Sequence, residues 1–389
     1  MKIAILTSGI LPIPAVQGGA VETLTDFYLA YNDLHQLHDI TIYSVWHPAV
    51  EAHSALQSVT NHYIYIKTNT WWAKVKKKFY QLSHGKEYYH YTIEYYLHEA
   101  PKHIRHQQYD IILLENRPGY AIKLKDITEA RLVYHLHNEK LSYQVAHYRE
   151  IYDAASSILT VSDYIKSRVR TINPKDTKTH TVHNGIDLQK FRQMPGERPI
   201  QHDANEFILV FSGRVNREKG IMELIEAMTL LKDYKDIKLL VIGSSFYGNA
   251  NNENSFAKAL KEKAEPLKDN ILFTGFIPYA DMPNYLSKAD VSVVPSVWDD
   301  PFPTTVLEAQ AMGLPIISTL RGGIPEEVTE ENAILLNTDE YFVENLAKTI
   351  LYLYKHPEKR KAMSEASLHH SRQFDKDTYA RNFFEALTA

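Results

Sequence analysis

Short, almost uninterrupted apolar runs alternate with helical patterns along the whole chain, and this alternation limits the possible fold more than any other feature. In the first half the runs are "KIAILTS" (2–8), "DITIYSV" (39–45), "DIILLEN" (110–116), "RLVYHLHN" (131–138) and "SILTVS" (157–162). In the second half they are "FILVFSG" (207–213), "KLLVIGSS" (238–245), "ILFTGF" (271–276), "VSVVPS" (291–296), "PIISTL" (315–320) and "AILLN" (333–337). Such runs are typical of strands that are buried on both faces of a parallel sheet. The alternation therefore predicts an α/β fold with doubly wound parallel sheets.

A polar segment, "RQMPGERPIQHDANE" (192–206), interrupts the alternation and is interpreted as a linker, because it has two prolines, a glycine and no apolar period. A chain of 389 residues is long enough for two domains. We predict one Rossmann-like domain over 1–195 and another over 203–375, with a C-terminal helix over 376–389 that packs back onto the first domain. Ligands of such sheets bind beyond the carboxyl ends of the strands, so two facing domains would form a cleft.

Composition excludes several classes of function. The net charge of −4 gives no reason to expect nucleic acid as a partner. The absence of cysteine excludes disulfides, thiolate zinc sites and cysteine nucleophiles, and it favours a cytoplasmic location. No apolar stretch is long enough to span a bilayer.

Glycines and cations follow two of the predicted strands. Gly18 and Gly19 precede a helix that begins near Ala20, where they would let the loop approach a substrate closely and leave helix N–H groups free for an anion. An ordinary flexible turn is the alternative. Arg214 and Lys219 flank a strand-to-helix loop and suit a diphosphate, because both cations can meet its oxygens without a metal. Two solvated surface charges are the alternative.

The segment "VWDDPFPTTVLEAQAMGLPII" (297–317) combines a stiff turn with a helix start. Pro301 and Pro303 stiffen the turn, and Thr304 or Thr305 begins a helix that ends at Gly313. The first N–H groups of such a helix are unpaired and can bind a phosphate.

Two acids lie on either side of this turn. Glu308 is about one helical turn into the helix, and its carboxylate suits the diol of a ribose. Asp300 precedes the turn and could hold the hydroxyls of a second sugar. The alternative is that Asp300 caps a turn and Glu308 is solvated.

His135 and His137 alternate along one predicted strand and share a face. A zinc pair is possible, but no third ligand is evident nearby in the sequence, so a hydrogen-bonding role is favoured and His137 is the better candidate to touch a ligand. No phosphate-loop, dinucleotide or nucleophile-elbow motif occurs, which argues against P-loop nucleotidases, dinucleotide oxidoreductases and α/β-hydrolases.

Seven motifs in this order resemble family 4 of the GT-B glycosyltransferases, the retaining sugar-nucleotide enzymes. The motifs are "GGAVE", "HLHN", "TVSDYIK", "VHNGID", "SGRVNREKG", "TGFIPYADMPNYLSKADVSVVPS" and "DPFPTTVLEAQAMGLPIISTLRGGIPE". The resemblance covers essentially the whole chain and implies a GT-B fold, in which two Rossmann-like domains face each other across a cleft.

The resemblance also implies roles for individual residues. The catalytic candidates are His137, Asp300, Arg214 and Lys219. Of these, His137 would contact the transferred sugar, and Arg214 and Lys219 would bind the diphosphate. The donor-binding candidates are Gly18, Gly19, Phe276, Ile277, Phe302, Pro303, Thr304, Thr305 and Glu308. Among these, Glu308 would hold the ribose, and Phe276 and Ile277 would face the base. The family usually has a glutamate and a glycine where Asp300 and Pro303 stand, so the preferred donor sugar can differ.

The resemblance implies retaining transfer of a sugar from a UDP- or dTDP-linked donor to a saccharide acceptor, with no required metal or other cofactor. The segment "WWAKVKKKFY" (71–80) combines aromatic and basic residues that suit an anionic membrane surface, namely Trp71, Trp72, Lys74, Lys76, Lys77 and Lys78. A lipid-linked acceptor in capsule, exopolysaccharide or cell-wall assembly at the inner face of the plasma membrane would follow. A solvated helix with buried aromatic residues is the alternative. A sugar-nucleotide epimerase and a non-catalytic binding or coat protein remain alternative functions.

Overall fold

The computed structural model describes residues 1–84, 91–192, 206–243 and 255–389. The chain divides into two compact units, one comprising Met1–His183 with Tyr379–Ala389 and the other Asn184–Thr378. Most of the predicted linker over 192–206 lies outside the described residues.

The first unit is built on a parallel sheet. Its strands are β1 (Lys2–Leu6), β2 (Asp39–Val45), β3 (Asn61–Ile66), β4 (Ile111–Glu115), β5 (Arg131–Leu136), β6 (Ser157–Thr160) and β7 (Thr179–Thr181). Its helices are α1 (Ala20–His35), α2 (Trp71–His84), α3 (Tyr91–Ile104), α4 (Ala121–Leu124), α5 (Tyr148–Ala154) and α6 (Asp163–Arg170). The strand order is β3-β2-β1-β4-β5-β6-β7. All pairs are parallel, as the continuous apolar runs predict.

The second unit repeats this architecture with a second parallel sheet. Its strands are β8 (Phe207–Ser212), β9 (Ile237–Ile242), β10 (Ile271–Gly275), β11 (Val291–Val294), β12 (Ile316–Thr319) and β13 (Ala333–Leu336). Its helices are α7 (Ile221–Leu230), α8 (Ser255–Ala264), α9 (Met282–Leu286), α10 (Thr304–Ala311), α11 (Ile324–Glu327), α12 (Phe342–Lys355) and α13 (Pro357–Ser371). The strand order is β10-β9-β8-β11-β12-β13, and apolar side chains of α7 and α12 pack with the sheet in one core.

The last helix, α14 (Lys376–Thr388), belongs from Tyr379 onward to the first unit. Phe383 stacks on Tyr28 of α1, with ring centroids 4.1 Å apart and planes inclined by 6°. Phe383 and Phe384 are thus part of the core that includes Ile3 and Ile5 of β1.

The sequence predicts eleven of these strands but not β3 and β7. Both lie at the outer edges of the first sheet. An edge strand pairs on one side only, so it needs no continuous apolar run, and "NHYIYI" and "THT" have none. None of the helices in the described ranges is long and apolar enough to cross a bilayer.

Candidate active site

Lys219 and Asp300 come together where strands β8 and β11 lead into their loops. The Lys219 Nζ atom donates to Asp300 Oδ2 at 2.5 Å, and the Ser296 hydroxyl donates to the same oxygen at 3.2 Å. Only 4% of Asp300 is exposed. The alternative of a solvated surface charge at Lys219 is therefore wrong, because this ammonium forms a largely buried ion pair.

The two loops are fixed against each other by their backbones. Gly220 has φ of 69°, and a Cβ at this position would lie 1.7 Å from the Pro295 carbonyl oxygen. Only a residue without a side chain fits such a close approach. The Val297 N–H also donates to the Glu218 carbonyl at 3.0 Å. The chain thus places Lys219 beside the Asp300 loop through contacts that do not depend on the ion pair.

Helix α10 begins at Thr304, as the sequence predicts, and follows Pro303 without a side-chain cap. Glu308 is buried inside this helix, so the alternative of a solvated Glu308 is wrong. Burial raises the pKa of Glu308 to about 8, although a hydrogen bond with Thr304 and the charge of Lys190 act in the opposite direction. This carboxyl group therefore keeps its proton near neutral pH in the ligand-free chain.

Lys190 and Tyr279 lie near Glu308, although no pattern in the sequence marks them as site residues. The Lys190 ammonium lies 4.4 Å from the centroid of the Tyr279 ring. Burial and the charge of Glu308 raise the pKa of the Tyr279 phenol. Lys190 follows the motif "VHNGID", and Tyr279 lies within the motif "TGFIPYADMPNYLSKADVSVVPS", but spacing alone does not show that they meet Glu308.

Phe302 is buried and held on both sides. Its carbonyl accepts a hydrogen bond of 3.0 Å from the Asn184 side-chain amide, and its ring meets Phe374 edge to face at 5.9 Å. The Asn184 Oδ1 atom is buried and has no hydrogen-bond partner among the described residues. The turn before α10 is therefore anchored, while the Asn184 Oδ1 atom beside it can still accept a hydrogen bond.

The other candidates of the second unit are less engaged. Arg214 is exposed, and Phe276 is 38% exposed just beyond β10, followed by half-buried Ile277. Pro303 is buried, and Thr305 is half-buried in the first turn of α10. Within the described part of the chain, the structure joins Lys219 to Asp300 and Thr304 to Glu308, but it gives no contact that joins Arg214 or Phe276 to them.

In the first unit, Gly18 and Gly19 directly precede α1, as predicted, with φ values of 74° and 106°. The φ of 106° at Gly19 favours glycine, because a side chain would strain the backbone in this region. The Ser8 hydroxyl donates to Glu22 Oε1 at 3.4 Å. Burial raises the pKa of Glu22 to about 7.

The two histidines of the first unit meet a third side chain. Strand β5 ends at Leu136, so His137 follows its last residue. Glu115, at the end of neighbouring β4, lies 3.1 Å from His135 Nδ1 through Oε1 and 3.2 Å from His137 Nε2 through Oε2. The two ring nitrogens are 3.2 Å apart. The expectation that no third ligand lies nearby is therefore wrong, because parallel pairing places Glu115 directly beside His135.

Charges within this cluster shift two pKa values. Burial favours a raised pKa for Glu115, but His135 and His137 outweigh it and hold this pKa well below its usual range. Burial and the neighbouring His135 lower the pKa of His137 to about 4. Glu115 is therefore ionised and His137 is neutral at neutral pH.

Comparison with known proteins identifies the class of this fold and site. A profile described as "Glycosyl transferases group 1" matches residues 197–370, and one described as "Glycosyltransferase Family 4" matches residues 18–190. The putative glycosyltransferase YtcC of Bacillus subtilis is 30% identical over 346 residues, covering 85% of this chain and 78% of the relative. Spore coat protein SA of the same organism is 27% identical over 383 residues, covering 94% and 93%.

A solved structure shows the same fold. The crystal structure of Anabaena HepE in complex with UDP-glucose superposes with a TM-score of 0.75 at 20% identity, covering 100% of this chain and 99% of that one. The molecule thus has the GT-B fold. The chain belongs to family 4 of the glycosyltransferases, which confirms the predicted family and the two Rossmann-like domains.

Proposed function

We propose that this glycosyltransferase moves a sugar from a UDP- or dTDP-linked donor to a hydroxyl of a lipid-linked saccharide, with retention of the anomeric configuration. The products would be intermediates of a capsule, exopolysaccharide or cell-wall polysaccharide. The observation that carries the proposal is the buried Lys219–Asp300 pair beside the start of α10, because it sets a cation and a free helix terminus at one edge of the sheet. The complex of Anabaena HepE with UDP-glucose supports the donor class.

The leaving diphosphate would be stabilised by cations and a helix dipole. Lys219 would exchange the Asp300 carboxylate for diphosphate oxygens, with exposed Arg214 as the second cation and the N–H groups of Thr304 and Thr305 facing the same charge. Asp300 would then accept hydrogen bonds from sugar hydroxyls. Until the donor binds, Lys219 thus compensates the charge of the buried Asp300 carboxylate. The proposed reaction requires no metal at this site.

The retaining step would follow a front-face path. The anomeric carbon's bond to the diphosphate oxygen breaks, and the acceptor oxygen forms its new bond on the same face. The acceptor proton passes to the departing phosphate oxygen, so no protein nucleophile is required. Pro303 and Phe302 would present backbone groups to the sugar and phosphate, Glu308 would bind the ribose, and Phe276 with Ile277 would face the base.

The first unit would supply acceptor and sugar contacts. Neutral His137 can accept or donate a hydrogen bond to the transferred sugar, as its lowered pKa allows. The backbone of Gly18 and Gly19 would contact the acceptor.

Helix α2 supports a membrane-bound acceptor. Trp71 and Trp72 are each 66% exposed, and Phe79 is 69% exposed on the same helix, so the alternative of buried aromatic residues is wrong. Lys74, Lys76 and Lys78 are exposed as well, and Lys77 belongs to the same helix. Aromatic and basic side chains on one exposed helix favour attachment to an anionic surface. We place the protein in the cytoplasm, peripheral to the inner face of the plasma membrane.

Titration calorimetry with UDP, dTDP and GDP, followed by donor turnover with and without a saccharide acceptor, tests the function. Transfer that needs both substrates supports it. Donor turnover without an acceptor would instead show an epimerase. Failure to bind any of the three nucleotides would favour a non-catalytic coat protein. The similarity to spore coat protein SA is the observation that supports this alternative.

A further inference from the structure

We propose that Glu115, His135 and His137 bind a first-row divalent transition-metal ion, Zn²⁺ foremost, inside the first unit. The site goes beyond the proposed function, in which no metal takes part in sugar transfer. Two imidazoles and one carboxylate are a common donor set for Zn²⁺, so the chemistry of the cluster fits this ion.

The spacing of the three donor groups fits a coordination shell. Their facing atoms are separated by 3.1 Å between Glu115 and His135, and by 3.2 Å for each of the two contacts of His137. Ligand atoms in a tetrahedral zinc shell, with bonds of about 2.0–2.1 Å, lie about 3.3–3.4 Å apart. The three atoms therefore need to move by only a few tenths of an ångström to share one ion.

With Glu115 as a carboxylate, hydrogen bonds alone do not satisfy this triangle. A ring nitrogen carries either a proton or a lone pair, and an ionised carboxylate only accepts. If both imidazole nitrogens donate to Glu115, two N–H groups oppose each other between His135 and His137. If one nitrogen accepts from the other, it faces a Glu115 oxygen with its lone pair. A cation at the centre makes all three contacts favourable at once.

The surroundings also suit a bound ion. The side chains of Glu115, His135 and His137 are almost completely buried, so a cation bound between them would be shielded from solvent. The Tyr28 hydroxyl donates to Glu115 Oε1 at 2.7 Å, an outer contact of the kind that orients metal-binding carboxylates. Among the described residues, no fourth His, Cys, Asp or Glu joins the group, so water can complete the shell.

A bound ion would link the ends of neighbouring strands. Glu115 ends β4, and His135 with His137 lies at the end of β5. The ion would fix the His137 ring at the carboxyl edge of the first sheet, independently of whether His137 touches the transferred sugar.

Elemental analysis of protein produced in zinc-supplemented medium, and purified without a metal-affinity step, tests the proposal. We expect about one zinc per wild-type chain and less than about a tenth of that in Glu115→Gln and His135→Gln. The matched control is His62→Gln, which removes an exposed His62–Asp39 pair of 3.2 Å from the same unit and should leave the zinc content unchanged. Wild-type protein without zinc, or variants that keep it, would overturn the site.

Anomalous scattering at the zinc edge from wild-type crystals gives a second answer that does not depend on variant folding. A peak within bonding distance of the three side chains supports the site. A peak elsewhere, or none after unfolding in chelator and refolding with Zn²⁺, contradicts it. Neither measurement involves sugar transfer, so the metal site and the proposed function can fail separately.

Discussion

Lys219 and Asp300 form a buried ion pair across 81 residues of sequence, with the ammonium 2.5 Å from the carboxylate. The pair joins the loop after β8 to the loop after β11. Removal of one partner from such a pair leaves an uncompensated buried charge, so the pair is costly to break unless another anion replaces the carboxylate. A nucleoside diphosphate is the anion that the proposed function supplies.

Lys219→Ala and Arg214→Ala should each reduce turnover by about 100- to 1,000-fold, because each removes a cation that meets the leaving diphosphate. UDP affinity should fall in both variants, whereas uridine affinity should change little. Steady-state kinetics and calorimetry with the two ligands check this. The control is Arg217→Ala, an exposed cation in the same short helix as Lys219. Near-normal rates in both site variants would contradict the assignment.

Glu308→Gln should lower the affinity for UDP by about 2- to 10-fold, because Glu308 is neutral near neutral pH and a net hydrogen bond between neutral groups contributes about 0.5–1.5 kcal/mol. Wild-type protein should also prefer UDP over 2′-deoxy-UDP, and the variant should lose most of that preference. Competition calorimetry with both nucleotides measures the ratio. An unchanged ratio of the two affinities in the variant would contradict the assignment of Glu308 as the ribose-binding residue.

The raised pKa of Glu22 should contribute to the pH dependence of the free energy of unfolding. Its folded-state pKa is raised to about 7, so the folded chain holds a proton that the unfolded chain has already lost above its ordinary pKa of 4.5. Stability therefore falls as pH rises between these two values, by at most about 1.4 kcal/mol per pH unit. Glu22→Gln should flatten this fall, raising the melting temperature by a few degrees near neutral pH relative to wild type. The exposed acid Glu129 provides the control: Glu129→Gln should leave the pH profile as it is.

Membrane attachment should depend on helix α2. Lys74→Glu with Lys78→Glu should abolish sedimentation with vesicles rich in anionic lipid, because each basic residue near the surface contributes about 1 kcal/mol. Trp71→Ala with Trp72→Ala should weaken it at every salt concentration. Lys232→Glu with Lys235→Glu introduces the same charge change at exposed positions of the second unit. Equal sedimentation of the α2 variants and this control would exclude α2 as the contact.

Continuous apolar runs and strand-end motifs made the fold predictable. The central strands can be recognised in the sequence because burial on both faces favours nearly continuous apolar runs, as in the first four residues of β4 (Ile111–Glu115). The edge strands β3 and β7 pair on one side only, and their polar residues conceal them.

The partners of the site residues were harder to predict than their positions. Lys219 and Asp300 were separate candidates in the sequence, and only the close approach at Gly220 shows that they meet. No motif in the sequence points to Glu115, although the strand order of a Rossmann-like sheet places the end of "DIILLEN" beside "RLVYHLHN". The sequence does not reveal that Lys190 and Tyr279 lie near Glu308, because this proximity depends on loop paths that no periodicity encodes.

The allocation of Tyr379–Ala389 to the first unit has a consequence for biosynthesis. As the ribosome works from the amino terminus, the second unit's residues emerge in full before Phe383 exists to cover Tyr28. The first unit is thus translated first but completed last. Until helix α14 has been synthesised, the apolar surface of α1 that Phe383 covers stays exposed in the nascent chain.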